Sequence, residues 1–146
     1  MNNNLPRVIS FDNLHLTKNL KAAKKTLKGL AGIYGIVCTV TNTKYIGSTT
    51  NIGDRLVDHV VDGNSNEHLQ NAITKHGLEN FVFVVVELFE VEPNISPEGA
   101  KAQLLEREQF YLDWLFSLPV EFRYNFLPTA GSSFRIFTHR RNTYKN

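Results

Sequence analysis

Apolar residues recur along this chain at two different periods. Leu16, Leu20, Ala23 and Leu27 sit at helical spacing among Lys18, Lys21, Lys24, Lys25 and Lys28, which predicts a short basic helix over 16–28 ended by Gly29. Residues 32–48 instead show the β-branched and aromatic content of a hairpin. Ile52, Leu56 and Val60 return to helical spacing. Asn51 can cap that helix, with Asp54 at the third position as in a capping box, and it runs to about Asp62. Residues 66–76 predict a second helix, ended by Gly77, and Phe81 to Glu90 is the clearest strand of the chain. Ser96-Pro97-Glu98 is a helix start with proline at the first helical position, and that helix extends over 98–116. Residues 1–14 and the segment after Pro119 read as irregular. The order β-β-α-α-β-α predicts an α+β domain, a small three-stranded, mainly antiparallel sheet flanked by helices. It occupies about residues 31–130, between a basic extension over 1–30 and a basic tail over 131–146.

With 146 residues, 42% of them hydrophobic, the chain suits one domain with its own core. The longest apolar run, Phe81 to Val86, is too short to span a bilayer. The N-terminus lacks the apolar segment of a secretory signal. Residues 15–30 share the basic, amphipathic character of a mitochondrial presequence but are Lys-rich rather than Arg-rich. Cys38 is the single cysteine, which excludes an internal disulfide and a multi-cysteine zinc site and fits a reducing, intracellular setting.

The net charge of +2 hides a strong asymmetry. Residues 1–30 hold six Lys/Arg and one acid (+5), residues 31–134 six and thirteen (−7), and Arg135, Arg140, Arg141 and Lys145 stand in 135–146 without an acid (+4). Affinity for phosphate is therefore expected from the ends, with Lys18, Lys21, Lys24, Lys25, Lys28, Arg135, Arg140 and Arg141 as candidate nucleic-acid contacts. The alternative is that the basic ends only solubilise the chain.

Five polar positions stand out against the apolar pattern. In a hairpin with an even loop, Tyr34 and Tyr45 share one sheet face. A tight Asn42-Thr43 turn would place them roughly 20 Å apart, and a wider loop over Cys38–Thr41 would set them opposite each other. Arg55 and His59, four apart, lie at the edge of the Ile52-Leu56-Val60 stripe, with Asp54, Asp58 and Asp62 on the other side. A guanidinium grips two phosphate oxygens and an imidazole moves protons. Glu108 is the most telling. A 100° step per residue puts it inside the arc of Leu104, Leu105, Tyr111, Leu112 and Leu115, where a carboxylate is costly without a partner. A divalent cation or a buried ion pair, for example with Arg55, would supply one.

Together, Gly32-Ile33-Tyr34, Tyr45-Ile46-Gly47-Ser48, Arg55, His59, Leu104-Leu105-Glu106-Arg107-Glu108 and Tyr124-Asn125 resemble the motifs of the GIY-YIG nuclease family, over about residues 32–128. Residues 65–70, 105–109 and 130–133 further resemble the intron-encoded homing endonucleases of fungal mitochondria. The resemblance implies a three-stranded antiparallel sheet with helices, the wider hairpin loop, and DNA phosphodiester hydrolysis in mitochondria by a monomer or weak dimer. In that reading Glu108 holds Mg²⁺ or Mn²⁺, Tyr34 positions or activates water beside Tyr45, Arg55 stabilises the phosphorane, His59 assists proton transfer, and Asn125 supports the site. Ser48 joins the nucleic-acid contacts. The chain departs from some relatives at Asn64, where they carry a histidine; His68 lies nearby. The homing enzymes usually continue into a DNA-targeting region, of which 135–141 would be a stub, so weak DNA binding or dependence on a partner is expected. A second reading keeps the fold but assigns it to an RNA-bound or structural role in a ribonucleoprotein such as a mitochondrial ribosome.

Overall fold

The computed structural model describes residues 4–131. Its elements in chain order are β1 (Ile9–Phe11), α1 (Thr17–Leu27), β2 (Ala31–Cys38), β3 (Lys44–Thr49), α2 (Ile52–Val60), α3 (Glu67–His76), β4 (Phe81–Phe89) and α4 (Pro97–Phe116). The caps read from the sequence close two of these helices. The Asn51 side chain accepts from the Asp54 N–H, and the Ser96 hydroxyl oxygen accepts from that of Gly99.

The sheet has four strands rather than three, in the order β1-β4-β2-β3, all neighbours antiparallel. The added strand lies in the segment expected to be irregular. Ile9 pairs with Val85 and Phe11 with Phe83, so β1 covers the outer edge of β4. Three residues are too few to show a strand period, and the pairing that makes them a strand comes from a segment over seventy residues away.

Strand alternation divides the core in two. Tyr34, Ile36, Cys38, Tyr45, Phe83 and Val85 pack under α1, α2 and α3, with Ala23, Leu27, Ile52, Leu56 and Leu69. On the other face, Ile33, Ile46, Val84 and Val86 meet Leu104, Tyr111, Leu112 and Leu115 of α4. The sheet is thus sandwiched between helices, with β1 and β3 as its edge strands.

The hairpin loop takes neither form considered from the sequence. Val37 faces Lys44, the Cys38 N–H donates to the Thr43 carbonyl (2.9 Å), and Asn42 turns the chain with φ 60°. Tyr34 consequently faces Gly47, and Tyr45 faces Ile36. The tyrosines share a face but meet diagonally rather than directly, their ring centroids 6.4 Å apart.

Two motif glycines have separate steric reasons. A register shift between Ile33 and Tyr34 makes a bulge against β4, and a Cβ at Gly32 would fall on the carbonyl of Glu87. A Cβ at Gly47 would fall on the hydroxyl of Tyr34.

Candidate active site

Arg55, 1% exposed, projects from α2 onto the tyrosine face of the sheet. Its Nε donates to Tyr34 Oη (3.3 Å), Nη1 to Asp58 Oδ2 (2.9 Å), and Nη2 lies 3.2 Å from His59 Nε2. The Tyr34 hydroxyl is 2.8 Å from that same nitrogen. A guanidinium only donates, so His59 Nε2 accepts, and the ring carries its proton on Nδ1. The Tyr34 hydroxyl, itself accepting from Arg55, then donates to His59. Phe83 stacks on the Tyr34 ring (centroids 5.4 Å, 7° between planes), and Tyr45 meets the His59 ring edge-on at 5.1 Å.

Burial pushes the Tyr34 phenol far above its ordinary pKa, and the field of Arg55 only partly offsets this, so the proton stays on oxygen. Burial by itself would lower the pKa of Arg55, but Tyr34, Tyr45 and Asp58 outweigh it, and the guanidinium keeps its charge. Asp58 corrects the sequence reading, which put it on the solvent side. It is 1% exposed and fixes one arm of Arg55. The i, i+3 spacing of Arg55 and Asp58 was the available signal.

Glu108 is fully buried, but it reaches the site from the opposite face. It belongs to α4, and the Ser48 hydroxyl donates to its Oε1 at 2.6 Å. Ser48 faces Ile33, on the α4 side of β3, whereas Tyr34 and Gly47 lie on the other side. The candidate residues therefore straddle the edge strand, within electrostatic reach of one another. Arg55 lowers the pKa of Glu108, and Glu108 raises that of Tyr34. Burial dominates and lifts the Glu108 carboxyl to about 7, against the pull of Ser48, the Gly131 amide and Arg55. Arg55 forms its ion pair with Asp58 rather than with Glu108. Glu108 Oε2 has no hydrogen-bond partner among the described residues.

That orphaned oxygen fits a hard divalent cation, which binds through one or two carboxylates and otherwise through waters and phosphate oxygens. No cluster of three or more His, Cys, Asp or Glu gathers among the described residues, so Glu108 would hold such an ion with few protein ligands.

Ser48, expected at the nucleic-acid surface, is instead buried as the partner of Glu108. Asn125 clamps the edge strand: its Oδ1 accepts from the Ile46 N–H and its Nδ2 donates to the Ile46 carbonyl, both at 2.9 Å. Gln109 ties Pro128 and Ala130 along α4 beside Glu108. The four lysines of α1 and Lys28 at its C-cap are exposed. Arg135, Arg140 and Arg141 lie outside the described residues.

Replacing Gly47 by alanine tests this packing. The new methyl displaces the stacked Tyr34 ring, with an expected cost of about 1–3 kcal/mol in urea unfolding.

The model of the GIY-YIG catalytic domain matches residues 30–125. The chain belongs to the GIY-YIG family. It is 35% identical over 126 residues to a probable intron-encoded endonuclease 1 of Neurospora crassa, covering 86% of this chain and 40% of that protein. It is 32% identical over 129 residues to a probable intron-encoded endonuclease bI1 of the same organism, covering 87% of this chain and 27% of that one. The chain thus spans less than half the length of either relative. Its fold matches a mutant of the catalytic domain of the intron endonuclease I-TevI with a TM-score of 0.53 and 28% identity, over 70% of this chain and 99% of that structure. No helix among the described residues is long and apolar enough to cross a membrane.

Proposed function

We propose that this GIY-YIG protein is a metal-dependent endonuclease of the homing type that hydrolyses DNA phosphodiester bonds. The observation that carries this reading is the buried Tyr34–His59–Arg55 network set across the edge strand from a carboxylate with an orphaned oxygen. Tyr34 takes a proton from the attacking water while passing its own to His59 Nε2, so no free phenolate has to form. The water oxygen bonds to phosphorus as the bond to the leaving oxygen breaks. Arg55, held by Asp58, keeps further N–H donors for the phosphoryl oxygens and stays charged throughout. Mg²⁺ or Mn²⁺ at Glu108 supplies Lewis-acid charge to the phosphate when bound. Asn125 and Ser48 act as positioning residues, one holding β3 and the other the carboxylate. The names of the relatives speak for cleavage rather than for a ribonucleoprotein role, and their intron origin supports a mitochondrial setting.

Supercoiled plasmid incubated with the protein and Mg²⁺ is expected to become nicked or linear. Removing the metal with EDTA stops the reaction, and added Mg²⁺ restores it. Equal product in EDTA, or no product with any divalent ion, contradicts the proposal.

A further inference from the structure

The family domain begins at residue 30, and the described structure carries an ordered β1–α1 unit ahead of it. That unit is built into the fold. β1 pairs with β4, and Ala23 and Leu27 of α1 are fully buried in the core shared with α2. Its junction with α2 is close. The Gly29 N–H donates to the Asn51 side chain (3.2 Å), and the Ile52 N–H donates to the Leu30 carbonyl (2.7 Å). A Cβ at Gly53 would stand 3.1 Å from Lys28 Cα, so only glycine there lets the two backbones meet without adjustment.

The exposed side of α1 has one chemistry. At 100° per residue, Lys18, Lys21, Lys24 and Lys25 fall within an arc of about 120°, pointing away from Ala23 and Leu27, and Lys28 follows at the C-cap. The helical part of the stripe is about 10 Å long and contains no acid, while the body behind it is net negative. Its last lysine abuts the first turn of α2, the helix that carries Arg55 and His59. A row of ammonium groups beside the helix that carries Arg55 and His59 is complementary in charge to a duplex backbone.

We propose that β1–α1 is a docking arm added to the family domain, on which the phosphate backbone of the DNA flanking the cleavage point lies along the lysine stripe. This rests on the nuclease reading and deepens it. The arm supplies affinity without base readout, since ammonium–phosphate contacts carry no sequence information.

The test is equilibrium binding of a fluorescent DNA duplex in EDTA, followed by anisotropy over a range of KCl concentrations. The Lys18→Gln/Lys21→Gln/Lys25→Gln variant is compared with wild type and with a Lys75→Gln/Lys101→Gln control. We expect the triple variant to bind about tenfold or more weakly, and its slope of log affinity against log salt to fall by about 2–3. Circular dichroism checks that all three proteins are folded. An unchanged slope in the triple variant overturns the proposal, as does an equal loss in the control, which would reflect net charge alone. Wild-type protein that cuts plasmid while its binding ignores these lysines removes the arm and leaves the nuclease. Lysine-dependent binding without cleavage in Mg²⁺ does the reverse.

Discussion

Glu108→Gln is expected to abolish Mg²⁺-dependent plasmid cleavage, by about a thousandfold or more, while making the protein more stable at alkaline pH. The amide keeps the volume and can still accept from Ser48, but it removes the anionic oxygen. The stability gain follows from linkage. The folded carboxyl titrates near 7 against an ordinary 4.5, because burial disfavours its charge. A raised folded pKa means that the group's favourable contribution is complete below about pH 4.5 and is lost as pH rises through 7. The loss amounts to roughly 3 kcal/mol. In EDTA the variant should therefore melt several degrees above wild type near pH 8 and show little gain near pH 4. Wild-type kcat/KM at subsaturating Mg²⁺ should rise with pH, by up to about tenfold per unit, and level off above about pH 7, where the carboxyl is half ionised. Full cleavage by Glu108→Gln, or a variant no more stable at pH 8, would remove the buried-carboxylate account.

Arg55→Ala carries the second large effect, and its two consequences can be separated. Loss of the guanidinium removes charge stabilisation at the phosphate, with an expected drop in kcat of about 10²–10³-fold. It also leaves the 1%-exposed Asp58 without its cation, at a cost of about 3–5 kcal/mol. Arg55→Ala/Asp58→Asn should recover part of the stability in urea unfolding but none of the activity. If the double variant regains cleavage, Arg55 acts on the fold rather than on the phosphate. Asp58→Asn alone separates positioning from structure: it should lower kcat more than it raises KM.

The division between what was legible in the sequence and what was not follows physical lines. The Ile52-Leu56-Val60 stripe and the caps at Asn51 and Ser96 located α2 and α4 to within a residue or two, because periodicity and capping are local. Glu108 announced its burial by standing among leucines. Asp58 did not, since a charged residue one step round from Arg55 reads as solvated until neighbouring elements close over it. Ser48 reads from the sequence as a nucleic-acid contact, and only its pairing with Ile33 shows that it turns to α4 instead.

The sequence by itself determined the helices, the central strands and the shared face of the two tyrosines, since each depends on spacing along one stretch of chain. The tertiary structure alone decided the fourth strand, the diagonal setting of the rings and the approach of Glu108 from behind the edge strand. Those depend on register and on contacts between segments sixty or more residues apart, and no local period records which face of β3 a distant helix will cover.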